Sequence, residues 1–362
     1  MIKYFFNFLL IIILISCSEK EIKLFEEISS YDSGIDFENK LFYKEDFNIF
    51  TYRNYYNGGG VGLGDINNDG LLDIYFTSNL NQNKLYLNKG NFQFEDITAT
   101  AKVGGTKSWS TGVSIVDINS DGFLDIYVSN SGDISGDNKQ NELFINNGDL
   151  TFTEKAKDFG LDDRGYSTHA AFFDYDKDGD LDCYLLNNSY KGGFRITSIG
   201  KDQRPVRDEV GGDKLFLNDK GKFIDVSEKA GIYGSVIGFG LGVTVGDANN
   251  DGWMDIYVSN DFFERDYLYL NNRDGTFSES LEEMVKSISA ASMGADMADI
   301  NNDGFAEIFV TDMLPEPDER IKTVTTFDSW DRHQFIKSSG YWNQFTRNTL
   351  QLNNGNSTFS EI

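Results

Sequence analysis

Short apolar runs with period-two alternation recur along this chain, and each sits between polar turns, the pattern of half-buried β-strands. Small-residue runs come first in each unit: GVGLGD, GVSIVD, AAFFD, GVTVGD and GADMAD. An acidic turn follows, then a β-prone run such as Asp73-Ile74-Tyr75-Phe76 or Asp125-Ile126-Tyr127-Val128. A third run begins at Lys84 (KLYLN), Glu142 (ELFIN), Lys214 (KLFLN), Tyr267 (YLYLN) and Thr349 (TLQLN). A fourth closes the unit: FQFEDIT, LTFTEKA, GKFIDVS, GTFSESL and STFSEI. The turns repeat at spacings of 52, 57, 73 and 52 residues. Four-stranded units at that period, with small residues where strands crowd an axis, predict an all-β fold, a β-propeller. Five blades are expected at about 60–98, 111–156, 168–227, 240–281 and 293–362. A calcium β-roll has a nonapeptide period and does not fit.

The acidic turns align without gaps as DINNDGLLDIYF, DINSDGFLDIYV, DYDKDGDLDCYL, DANNDGWMDIYV and DINNDGFAEIFV. Hard cations such as Ca²⁺ take six to eight oxygen ligands, and side chains at positions 1, 3, 5 and 9 with the carbonyl at position 7 supply them. The expected ligands are Asp65, Asn67, Asp69, Leu71 and Asp73 in the first turn, and Asp117, Asn119, Asp121, Phe123 and Asp125 in the second. The third offers Asp174, Asp176, Asp178, Asp180 and Asp182, and the fourth Asp247, Asn249, Asp251, Trp253 and Asp255. The fifth offers Asp299, Asn301, Asp303, Phe305 and Glu307. An EF-hand would need Glu at position 12 and flanking helices. Position 12 is instead Phe76, Val128, Leu185, Val258 and Val310, each inside an apolar strand.

Composition sharpens this picture. A net charge of −26 excludes the basic footprint of a nucleic-acid binder. With two cysteines, Cys17 and Cys183, no disulfide framework is available. The loops hold 17 of the 58 acids, which repel one another without a cation. Extracellular calcium modules bind with Kd of ~10⁻⁴–10⁻³ M. Calcium at about ten times Kd adds roughly 1.4 kcal/mol per site, so five structural ions would contribute ~7 kcal/mol. At the N-terminus, Lys3 precedes the apolar run Phe8–Ile15, too short for a membrane span and read as a signal peptide over 1–16. Leu14-Ile15-Ser16-Cys17 is similar to a bacterial lipobox, which makes Cys17 the lipidated residue, 17–23 a tether, and 24–362 the propeller. The expected location is the outer membrane or cell surface, with membrane contact through the lipid alone.

The five loops and their strands resemble the FG-GAP/VCBS repeat family, whose calcium-loop blades also form the integrin α-subunit propeller. The sequence looks closest to bacterial lipoproteins that carry these repeats ahead of an ASPIC/UnbV domain. The resemblance implies a binding or adhesion module for a glycan or protein ligand. A literal Phe-Gly…Gly-Ala-Pro string is absent, so integrin-style recognition does not carry over.

Two insertions, about 187–212 and 312–347, join second to third strands and emerge opposite the calcium loops. The first carries Arg195, Arg204 and Arg207, and the second Trp330, Tyr341 and Trp342, a candidate ligand face. Both contain proline (Pro205, Pro315, Pro317), which reads as irregular loop. His169 and His333 sit in no metal or triad pattern, and Cys183 reads as a buried thiol. Trp109, Tyr166 and Ser167 precede inner strands and are expected to ring the axial channel. The alternative class is a calcium-dependent polysaccharide lyase, which needs a base and a cation at the substrate carboxylate. No catalytic constellation stands out. Finally, Leu24–Ser29 reads as a leading fourth strand, which points to an incomplete ring; the alternative is that five blades close by themselves with that strand as an edge.

Overall fold

The computed structural model describes residues 24–52, 54–107, 109–132, 139–190, 203–324 and 329–362. The lipobox and tether, with Cys17, and Arg195 lie outside the described residues. The fold is all-β: five four-stranded antiparallel sheets, each a simple meander. The first sheet joins Val61–Gly64, Asp73–Phe76, Lys84–Asn88 and Phe94–Asp96. The second joins Ser110–Val116, Asp125–Asn130, Glu142–Asn146 and Phe152–Glu154, and the third Ser167–Phe173, Asp182–Asn187, Lys214–Asn218 and Phe223–Asp225. The fourth joins Gly240–Gly246, Asp255–Asn260, Tyr267–Asn271 and Phe277–Glu279, and the fifth Gly294–Ala298, Glu307–Thr311, Thr349–Asn353 and Phe359–Glu361.

The register of the first hairpin is the same throughout. Gly64, Val116, Phe173, Gly246 and Ala298 each pair with the ninth loop residue, Asp73, Asp125, Asp182, Asp255 or Glu307. Each first strand packs against the first strand of the next sheet, from the first sheet to the fifth. Alternation then gives every sheet two apolar faces. The Tyr of the Asp-Ile-Tyr run looks toward the next sheet and meets its Ile, Val or Leu side chains. Tyr75 thus packs with Ile126 and Val128, Tyr127 with Leu185, Tyr184 with Ile256 and Val258, and Tyr257 with Ile308 and Val310.

Two expectations need correction. Leu24–Ser29 forms no strand, and Leu24 and Phe25 are about 90% exposed. The segment after it lies on the first sheet instead: Phe37 stacks on Phe76 at 4.7 Å and Asp36 accepts from the Tyr86 hydroxyl at 2.8 Å. The second insertion is not irregular loop throughout. It contains helices Asp318–Val324 and Trp330–Ser338, and its Gln344–Phe345 pairs in parallel with Ile288–Ser289. Four-residue helical turns also follow the fourth strands of the first four sheets, at Thr98–Ala101, Ala156–Phe159, Ser227–Ala230 and Leu281–Met284.

Candidate metal loops and axial cavity

Each acidic turn folds around its own first residue. Asp65 accepts from the backbone N–H of Asp69 (3.0 Å) and of Gly70 (2.7 Å), and Asp69 accepts from Leu71 N–H at 2.9 Å. Asn67 Oδ1 caps Asp69 N–H at 3.2 Å. The same bonds recur from Asp117, Asp174, Asp247 and Asp299. The reversal needs left-handed backbone at position 6, where Gly70 has φ 87° and its four equivalents lie between 85° and 97°. Position 7 varies among Leu71, Phe123, Asp180, Trp253 and Phe305, and in all five its backbone N–H bonds the residue at position 5. Only the backbone is used alike there.

Position 9 has a structural task as well. Asp73, Asp125, Asp182 and Asp255 are buried, and each accepts two backbone N–H groups. One comes from position 2 of its own loop and the other from the last residue of the third strand. Burial pushes Asp125 up to about 6 and Asp182 and Asp255 to about 7, against the opposing pull of those N–H groups. Glu307 reaches only its own loop, at Ile300 N–H and Asn301.

The residues fit a hard cation. Their donors are all oxygen, and in the third loop ligand atoms of Asp174, Asp176 and Asp182 lie within 4.8 Å of one another. In the fourth, Arg273 already pairs with Asp251 at 2.8 Å. The sequence reading missed the asparagine that ends every third strand. Asn88, Asn146, Asn218, Asn271 and Asn353 each donate to the carbonyl of loop position 8. Three of them also reach back to the preceding loop: Asn146 to Ile66 O, Asn271 to Tyr175 O and Asn353 to Ala248 O, at 2.8–2.9 Å. The signal was present as an asparagine at one repeat position.

The named insertion residues mostly bind the sheets and neighbouring loops rather than face outward. Arg204 is buried against Glu264 at 2.7 Å and donates to Gly340 O at 2.8 Å. Arg207 donates to Ile232 O and Asp213 O, Tyr341 is fully buried, and Trp342 Nε1 donates to Val285 O. Of the named candidates among the described residues, only Trp330, 72% exposed, is presented to solvent. The other four hold the insertions down: Arg204, Arg207 and Trp342 spend their polar groups on backbone carbonyls and Glu264, and Tyr341 packs in the interior. His333 lies beside Trp330 and Phe345. Cys183 is buried, and burial pushes its thiol up.

At the ends of the inner strands remote from the acidic loops lies a cavity of about 460 Å³. Trp109, Tyr166 and Ser167 were expected around it, but none of the three is among its lining residues, and Trp109 and Ser167 are buried behind it. Trp109 packs in an aromatic cluster with Phe47, Tyr52 and Tyr55. The lining comes one or two residues further along, from Thr111, Thr168 and His169.

Five equal meanders, each with one acidic turn, define a tandem-repeat β protein. The chain belongs to the FG-GAP-like repeat family, whose model matches residues 65–128, 133–185 and 247–310, half of the sequence. It is similar to cartilage acidic protein 1 of Xenopus tropicalis, at 29% identity over 215 residues, 57% of this chain and 29% of that protein. It is also similar to integrin alpha-3 of Mus musculus, at 31% over 99 residues, 24% of this chain and 9% of that one. The chain therefore spans less than a third of the curated relatives it matches. Among solved structures, a lectin of Agrocybe aegerita that recognises non-reducing terminal N-acetylglucosamine aligns with TM-score 0.45 and 17% identity. That alignment covers 82% of this chain and 63% of the lectin.

Proposed function

We propose that this chain is a calcium-stabilised β-propeller module that binds a glycan or protein ligand at a cell surface. One observation carries the reading: five turns, one per sheet, present the same oxygen donors on the same hydrogen-bonded backbone. The calcium ligands are those at positions 1, 3, 5, 7 and 9, and the ions are structural. A cation there offsets the mutual repulsion of the loop acids and, through the strand-end asparagines, steadies the contact between neighbouring sheets. The similarity to integrin alpha-3 and cartilage acidic protein 1 favours binding over catalysis. Attachment is through lipid on Cys17, at the outer membrane or cell surface. The described residues form no helix long and apolar enough to cross a membrane.

The five sheets are blades, and further blades of the same repeat complete the ring. The support is that the open face of the fifth sheet and that of the first are the two halves of an interface that recurs four times between them. The decisive experiment for the central claim is thermal unfolding in millimolar calcium and in excess chelator. At ~7 kcal/mol in total, the midpoint should rise by about 10 °C with calcium. An unchanged midpoint overturns the structural-calcium reading. For the anchor, Cys17→Ser should move the protein out of the membrane fraction; a variant that stays there removes that part of the proposal.

A further inference from the structure

Aligned on the first loop Asp, the inner strands carry Gly60, Gly112, His169, Gly242 and Gly294 at one level, five residues upstream. Backbones meet closely there. A Cβ on Gly60 would lie 2.8 Å from Thr111 O, and one on Gly242 2.8 Å from Gly294 Cα. His169 alone puts a side chain into this layer, and Gly112 leaves the room: a Cβ at 112 would be 2.6 Å from His169 Nδ1. The imidazole lines the axial cavity and forms no hydrogen bond with any described residue. Burial lowers its pKa, so it faces the cavity as a neutral ring with one donor and one acceptor.

The rest of the wall has a matching character. Tyr56, 68% exposed, offers an aromatic face, and Asn54 and Ser131 add amide and hydroxyl groups. Leu241, Met293 and Met313 make an apolar side. No Asp, Glu, Lys or Arg is among the described lining residues, although the chain carries a net charge of −26. A charged ligand would give up its hydration there without a counter-charge from any described lining residue. A neutral ring with hydroxyls on its edge and C–H groups on its face finds donors, acceptors and an aromatic surface. The volume falls within the ~300–1,000 Å³ of small-ligand sites.

We propose that the axial cavity binds a neutral mono- or disaccharide unit, with His169 hydrogen-bonding its hydroxyls and Tyr56 stacking on its ring. This rests on the binding-module reading and gives it a site and a ligand class. The test titrates the calcium-loaded chain with cellobiose, maltose, N,N′-diacetylchitobiose and, as the acidic control, digalacturonate, followed by saturation-transfer NMR and calorimetry. At least one neutral disaccharide should bind, and His169→Gly and Tyr56→Ala should each weaken it ten-fold or more. Digalacturonate should bind at least ten-fold more weakly. His169→Gly installs the residue that the other four sheets already carry, so an unchanged thermal midpoint is expected and separates lost binding from lost fold. Absence of binding by all three neutral sugars overturns the proposal, as does affinity unchanged in both variants or equal affinity for digalacturonate. A glycan or protein ligand found on an array and still bound by His169→Gly would leave the module reading standing while ending this one.

Discussion

The fourth and fifth sheets carry the same repeat, with the same hairpin register, yet their equivalent residues live in different surroundings. Tyr257 of the fourth sheet is 1% exposed and donates to Asp266 at 2.7 Å; Phe309, its equivalent in the fifth, is 44% exposed. The first sheet shows the complementary opening, with Val61 and Leu63 each more than half exposed. Burial in this protein is thus set between sheets and not within them. A strand is complete when its hairpin closes, but its apolar face is complete only when a neighbour arrives. The largest predicted effect follows from this. Tyr257→Ala should cost about 3–5 kcal/mol in urea unfolding, and Phe309→Ala under about 1. Equal costs would mean that the fifth sheet is covered in solution, and the contrast would be lost.

A second contrast separates the ninth loop positions. Asp255 ties its loop to the third strand, whereas Glu307 bonds within its own loop. Asp255→Ala strands two buried N–H groups, at about 1–3 kcal/mol each. It should therefore destabilise by roughly 2–6 kcal/mol even in chelator, and Glu307→Ala by about half as much. If Asp255→Ala costs nothing once calcium is removed, the carboxylate acts through the ion alone and the interior hydrogen bonds are redundant.

Much of this was legible because the repeat writes its chemistry in short-range patterns. Asp-x-Asn-x-Asp-Gly closes on its own backbone, so five turns and the strands on either side could be read from spacing. What needed coordinates was long-range. Nothing local marks Arg204 as the partner of Glu264, 60 residues away, so it read as a ligand-facing cation. Leu24–Ser29 has the pattern of a fourth strand, but a three-residue strand exists only where a third strand receives it, and none does. The glycines of the inner strands read as small residues near an axis. That His169 replaces one of them, and so reaches the cavity, emerges only when five strands are laid side by side.

Sheets three and four differ from the others in one buried acid each, which predicts a pH dependence. Asp213 and Asp266 accept from the backbone N–H of Asn187 and Asn260 and from the hydroxyls of Tyr184 and Tyr257. Sheets one, two and five place Asn83, Asn141 and Asn348 on the equivalent N–H. Burial pushes Asp213 up to about 7 and Asp266 to about 6, with nearby Arg207 and Arg265 pulling the other way. Since both are raised, the folded chain holds these protons more tightly than the unfolded one. Their contribution is complete below about pH 4 and is lost as pH rises through 6 and 7. In saturating calcium, Asp213→Asn with Asp266→Asn should reduce the loss of stability between pH 5 and pH 8 by about 1–2 kcal/mol. Urea midpoints with the same pH slope as the parent would contradict it.

The smallest effect tests the contrast at one hydroxyl. Tyr257→Phe removes the donor to buried Asp266, and the parent bond is to a group whose other oxygen is already used by Asn260 N–H. The loss should be about 1 kcal/mol. Phe309→Tyr adds the same hydroxyl to the fifth sheet, where the ring is half in solvent and water satisfies it without help from the protein. That change should stay within about 0.5 kcal/mol. A penalty of about 2 kcal/mol or more on Phe309→Tyr is the signature of a polar group forced into an apolar contact. It would place a neighbour over the fifth sheet even in the isolated chain, so one oxygen atom reports whether that face is open.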